Sequence, residues 1–261
     1  MKKLRNFFRG TYLGLMLIFL YAPILVLMVF SFNGSKSMAR WAGFSFKWYE
    51  ALMHDSTIMN ALIVTLSVAV ISALVATFIG TFAAIGIHSM KKRPRAVVEN
   101  ISRLPMVNPD LVTGISFMML FAALGIRDGY TRMLIAHISF NIPYVILSVL
   151  PKIRQLDPNL AEAALDLGAT PMTAFRKVVL PELMPGIING ALIAFTMSID
   201  DFVISYFTAG SGVSTLAMTI YSMTKKPFTP EINALCTIML AFTAGILLVY
   251  SLVKKLRRRS Q

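Results

Sequence analysis

Charge is what this sequence has least of. Asp, Glu, Lys and Arg make up 14% of its 261 residues and hydrophobic residues 56%, whereas a soluble domain carries about 25% charged residues. That shortage excludes an ordinary soluble domain and points to an integral membrane protein. Cysteine is nearly absent: Cys236 alone, inside an apolar run, excludes a disulfide framework and a Cys-based metal site, and reads as packing. The histidines, His54, His88 and His137, are scattered, and no H-E-x-x-H occurs, which argues against an intramembrane metalloenzyme. No G-x4-G-K-[ST] phosphate loop is present, so ATP hydrolysis cannot be assigned to this chain.

Acidic residues are scarcer still, 12 against 25 basic ones, for a net charge of +13. Clustered Lys and Arg can neutralise nucleic-acid phosphates. Here they stand in short runs beside apolar segments, the positive-inside pattern, and no nucleic-acid partner is expected. Apolar windows of about twenty residues, enough to cross a core of about 30 Å, fall at 12–32, 60–87, 105–124, 130–150, 186–209 and 233–253. The sequence therefore predicts six spans in an all-α membrane protein. The first is too long for a signal-peptide core and no small-x-small cleavage site follows it, so it is expected to stay as a span. Of the basic residues, 18 fall on one side of these spans and 7 on the other, which predicts that both termini are cytoplasmic in a multi-pass cell-membrane protein.

Three regions follow from this pattern: 1–59, the first span with an extracytoplasmic amphipathic segment; 60–253, the main membrane domain; and 254–261, a basic tail. In the first region Trp41, Trp48 and Tyr49 suit an interfacial helix, because indole and phenol rings settle at the lipid headgroups. Lining a substrate entrance is the alternative for the same rings.

One passage breaks the apolar rule. "LAEAALDLGATPMTAFRKVVLPELMPGI", at 160–187, is polar on one face and punctuated by Gly and Pro. Asp157 is expected to cap a first helix with Pro158 at its first position. Leu160, Ala163, Ala164 and Leu167 make one apolar stripe, and Gly168 can take the left-handed conformation that ends it. Thr170 and Pro171 repeat the start, and Pro181 is expected to stop the second helix. By composition the unit is either a docking surface or a helical hairpin lying on the bilayer.

The spacing of Glu162-Ala163-Ala164, Gly168 and Leu180-Pro181 resembles the EAA loop of ABC importer permeases, E-A-A-x3-G-x9-I-x-L-P, with Val178 where Ile is usual. "LYAPILVLMVFSFN", "GFSFKWYEAL", "SIDDFVISYFTAG" and "PEINAL" are similar to one permease subunit of spermidine/putrescine importers, over nearly the whole chain. The resemblance implies a type-I, MetI-like fold in which the EAA loop is the coupling helix of a cytoplasmic ATPase. It also implies a second homologous permease, two ATPase subunits and an extracytoplasmic polyamine-binding protein, with membrane lipid around the spans. ATP and Mg would sit on the partner ATPase, with no cofactor on this chain. An ion-coupled secondary transporter would use intramembrane acids and inverted repeats, and leaves the EAA loop unexplained; a permease for another small solute is the remaining alternative.

Asp200 and Asp201 are the charges that a span hides least easily. Asp200 lies 14 residues beyond Gly186, about 21 Å along a helix, which predicts a place in the outer half of the membrane. Ser198, Asp201, Ser205 and Thr208 share a helical stripe, so Asp201 is expected to face the interior and Asp200 to point about 100° away. A linear polycation would need such carboxylates, and aromatic faces such as Tyr206 and Trp48, to replace its hydration. A structural pair against the partner permease is the alternative. Asp110, after Asn108-Pro109, and Glu231, after Thr229-Pro230, read as carboxylates favoured by helix starts.

Overall fold

Backbone amides have no water to bond within a bilayer, so an apolar chain must satisfy them internally, and this one does so with helices. The computed structural model describes residues 2–36, 40–225 and 230–259, with the side chains of 10–36, 40–225, 230–245 and 248. Its elements are α1 (Lys2–Phe30), α2 (Lys47–His54), α3 (Ser56–Ser89), α4 (Lys92–Val107), α5 (Asp110–Ala123), α6 (Gly129–Gln155), α7 (Leu160–Asp166) and α8 (Pro171–Ala174). A π-helical turn (Phe175–Val179) follows, then α9 (Leu180–Asp200), α10 (Val203–Thr208), α11 (Leu216–Thr224) and α12 (Glu231–Arg259).

Four stretches are long and apolar enough to cross a membrane: Gly10–Phe30, Ser56–Ser89, Gly129–Gln155 and Pro171–Asp200. A fifth is the pair α4 and α5, bent by 101°, and Glu231–Gly245 is a shorter apolar helix among the described residues. Two of the six expected windows are thus not straight helices. The window 105–124 straddles the bend because Asn108, preceding Pro109, is forced into extended backbone (φ -74°, ψ 134°). The window 186–209 breaks after Asp200, where Asp201 is extended (φ -67°, ψ 124°). The side chains of Lys2, Lys3, Arg5, Arg9, Lys226, Lys254, Lys255, Arg257, Arg258 and Arg259, which entered the orientation count, lie outside those described, as do the side chains of 246, 247 and 249–253 at the end of the last window.

Internal packing divides the chain into two units, Met1–Met59 with Ile220–Gln261, and Asn60–Thr219. In the first, α12 packs on α1 and α2. Its loop is built around Asn33, whose Oδ1 accepts from Ala42 N–H at 2.8 Å and whose Nδ2 donates to the Arg40 carbonyl at 2.8 Å. Trp48 donates its indole N–H to the Asn33 carbonyl at 2.7 Å and is 3% exposed. Trp48 is therefore an internal anchor of this loop, while Trp41 stays half exposed.

In the second unit α6 packs along α9. Val145, Val149, Leu183, Ala194 and Ala76 form its fully buried centre. Gly80 lets α3 approach α6: a Cβ there would meet Val145 Cβ at 2.7 Å, so no larger residue fits without moving a helix.

Candidate functional site

The EAA passage folds into short helices, with two differences from expectation. Pro158 lies outside α7, whose N-cap is Asn159; the Asp157 carboxylate instead accepts from Asn159 N–H at 2.9 Å in a tight turn. Pro181 does not stop the second helix. It stands in the first turn of α9, where its missing N–H costs nothing, and the π-helical turn joins α8 to α9 without a break. Two expectations hold. Gly168 has φ +84°, a conformation that strains any side chain, and its N–H closes onto the Leu165 carbonyl at 2.8 Å. Thr170 caps α8, accepting from Thr173 N–H at 3.3 Å, with Pro171 just inside.

The outer surface of this module sets large apolar side chains among charged ones, Glu162, Asp166, Arg176 and Lys177 all being exposed. Leu167, on the expected apolar stripe, is 90% exposed, and Met172 is 66% exposed. Glu162 and Ala163 are exposed beside them, Ala164 and Leu180 are half-buried and Pro181 is exposed. Exposed apolar groups beside charged ones are a feature of interaction surfaces.

The second feature lies at the break between α9 and α10. Asp201 accepts from Ile204 N–H at 3.3 Å and from Ser205 N–H at 2.7 Å, so its two oxygens serve the open amides of α10. Its Oδ2 is also 3.5 Å from His137 Nε2, which lies 3.1 Å from Ser205 Oγ; the His137 and Asp201 side chains are 0% and 10% exposed. Next to them Asn141 donates to Ser198 Oγ at 2.8 Å, and Ser198 bonds Ser72 Oγ at 3.0 Å, tying α3, α6 and α9 together.

Asp200 is different. It is exposed and, among the described residues, makes no hydrogen bond or ion pair. It opens onto a recess of about 290 Å³ whose wall also holds Asp110, Thr113, Tyr144, Asp201 and Phe202. A larger recess of about 700 Å³, beside the α4–α5 bend, is lined by groups such as Leu104, Val107, Phe117 and Leu120 and has no ionisable residue in its wall. The smaller one is where the ionisable groups gather. Three carboxylates, Asp110, Asp200 and Asp201, and three aromatic rings, Phe140, Tyr144 and Phe202, line its wall; carboxylates attract ammonium groups by charge and rings by their quadrupole.

Of the four residues expected along a substrate pathway, Asp200 and Asp201 share this wall. Tyr206 is 51% exposed on α10, with its ring 5.5 Å from that of Phe202, outside the lining. Trp48 is buried in the other unit. Tyr144 is a lining residue that sequence reading missed, and Asp110 was read only as a helix-start carboxylate. No local signal links them: Asp110, Tyr144 and Asp200 are far apart in sequence and meet only in the folded unit.

A multi-pass helical protein with a rigid exposed loop and an acidic recess, and no nucleotide loop of its own, has the parts of a transport permease. The chain belongs to the family described as binding-protein-dependent transport system inner membrane component, whose model matches residues 76–261. Over 251 residues it is 35% identical to the spermidine/putrescine transport system permease protein PotC of Haemophilus influenzae, covering 96% of this chain and 98% of that one. It is 40% identical over 229 residues to the putrescine transport system permease protein PotI of Escherichia coli, covering 85% and 82%. Among solved structures, a chain of a bacterial ABC transporter involved in the import of the acidic polysaccharide alginate superposes with a TM-score of 0.72 at 16% identity, covering 97% of this chain and 96% of that one. That likeness is one of fold.

Proposed function

We infer that this chain is a permease subunit of an ATP-driven importer of polyamines, supplying half of the membrane pathway. The relatives carry the cargo class: similarity to spermidine/putrescine and putrescine permeases runs through nearly the whole chain. The acidic, aromatic recess at Asp200 agrees with a polycationic cargo. The exposed module at 160–181, with Glu162, Ala163, Ala164, Gly168, Leu180 and Pro181, is the docking site of a separate ATPase, which holds the ATP and Mg. The other partners are a second homologous permease, a second ATPase subunit and an extracytoplasmic polyamine-binding protein. In this reading the module and both termini are cytoplasmic, and 60–253 is the transport domain.

Within the recess, Asp200 faces the cargo and Asp201 holds the wall in shape. Tyr206 offers an exposed ring on the same short helix, and Trp48 supports the extracytoplasmic loop. The test is spermidine uptake by the assembled complex in proteoliposomes. Uptake should require ATP and binding protein, and unlabelled putrescine should compete. Uptake by this chain alone, driven by a proton gradient, would establish a secondary transporter instead.

A further inference from the structure

α4 is weakly held by burial. None of its residues is buried, and α6 is its principal neighbour. Val98 packs against the edge of the buried centre. What ties α4 down is a carboxylate. Glu99, with its side chain 12% exposed, accepts from Arg95 Nε at 2.9 Å, and the same oxygen accepts from Arg154 Nη2. Arg95 reaches on to the His88 carbonyl, at 3.5 Å. One anion therefore joins the end of α3, the body of α4 and the last turn of α6. It also sits between two cations that would repel each other without it.

The position of this cluster matters more than its strength. Arg154 is in the last turn of α6, six residues before Leu160 opens α7 and the docking module. Glu99 is six residues before Pro105, which lines the acidic recess, and α4 then bends by 101° into α5, which begins with Asp110. A partly exposed ion pair adds little to stability. It fixes which helix moves with which.

We propose that Glu99 is a positioning residue for transport: its ion pair with Arg154 makes α4 follow the end of α6, so that displacement of the docking module reaches Pro105 and Asp110 in the recess. The proposal rests on the reading of 160–181 as the ATPase docking site. The measurement is spermidine taken up per ATP hydrolysed, in proteoliposomes holding the complete complex, for Glu99→Gln, Arg154→Gln and the double variant. Each single change should lower uptake per ATP about fivefold or more, with the complex still purifying whole and ATP still hydrolysed. The double variant should be no worse than the poorer single, because both remove one interaction. Glu99→Asp, which keeps the charge on a shorter arm, should recover part of the loss. Unchanged uptake per ATP in the single variants, multiplying losses in the double, or loss of ATPase subunits from the complex would each overturn the proposal. Glu162→Lys separates the two failures. If it releases the ATPase while Glu99→Gln transports normally, the Glu99 inference alone is wrong; if it leaves docking and uptake intact, the docking reading is wrong and this proposal falls with it.

Discussion

Asp200 and Asp201 are adjacent and chemically identical, yet the fold gives them opposite tasks. Asp201 spends its oxygens on two backbone amides and His137, whereas Asp200 has its carboxylate free toward the recess. Helical periodicity alone assigns them the other way round, because it assumes that the helix continues. Once the chain breaks at Asp201, a stripe drawn through Ser198, Asp201 and Ser205 no longer describes one face. Asp200→Asn keeps shape and removes charge, so it should cut spermidine uptake by the complex about tenfold, a barrier change of about 1.4 kcal/mol, with complex yield unchanged. Asp201→Ala should instead lower the thermal unfolding midpoint of the purified complex. The loss of a capping carboxylate costs about 0.5–2 kcal/mol, and His137 is left buried beside a gap. His137 was legible only as a scattered polar residue, since its partners Asp201 and Ser205 lie 64 and 68 positions away. Trp48 was legible as an aromatic near a span end, but its bond to the Asn33 carbonyl depends on a loop turn that composition does not specify.

At the level of elements, the signals that were local survived and those that needed context did not. The left-handed Gly168 and the Thr170 cap with Pro171 depend on a few neighbouring residues, and both stand where the sequence places them. Proline was harder. Pro181 can end one helix or begin another, and the π-helical turn before it decides for the second. The long apolar windows overlap the four helices long enough to cross a membrane but do not foretell the α4–α5 bend, because hydropathy does not register direction. The module yields its own prediction. Gly168→Val would force a β-branched side chain into the left-handed region, at a cost of about 1–2 kcal/mol, and should misplace Leu167 and Glu162. Pull-down of the ATPase by this chain should weaken at least severalfold, while the amount of chain in the membrane stays near normal. Attachment and uptake at full strength would remove the docking assignment.

The whole molecule reads as one part of a larger machine. Its sequence contains no phosphate loop, so the isolated chain in liposomes should hydrolyse no ATP and take up no spermidine, measured against the complete complex as positive control. Both activities should appear together when the partner permease, ATPase and binding protein are restored. The unbroken run from Pro171 to Asp200 bears on how such a machine could work. It holds 30 residues, about 45 Å of helix, with the exposed module at one end and Asp200 at the other. Near its middle the Gly186 carbonyl accepts from Ser148 Oγ at 3.0 Å, and a Cβ at Gly186 would sit 3.0 Å from Lys152 Cβ. That tight contact holds the run against α6 midway along its length, about 22 Å from the module end and about 21 Å from Asp200.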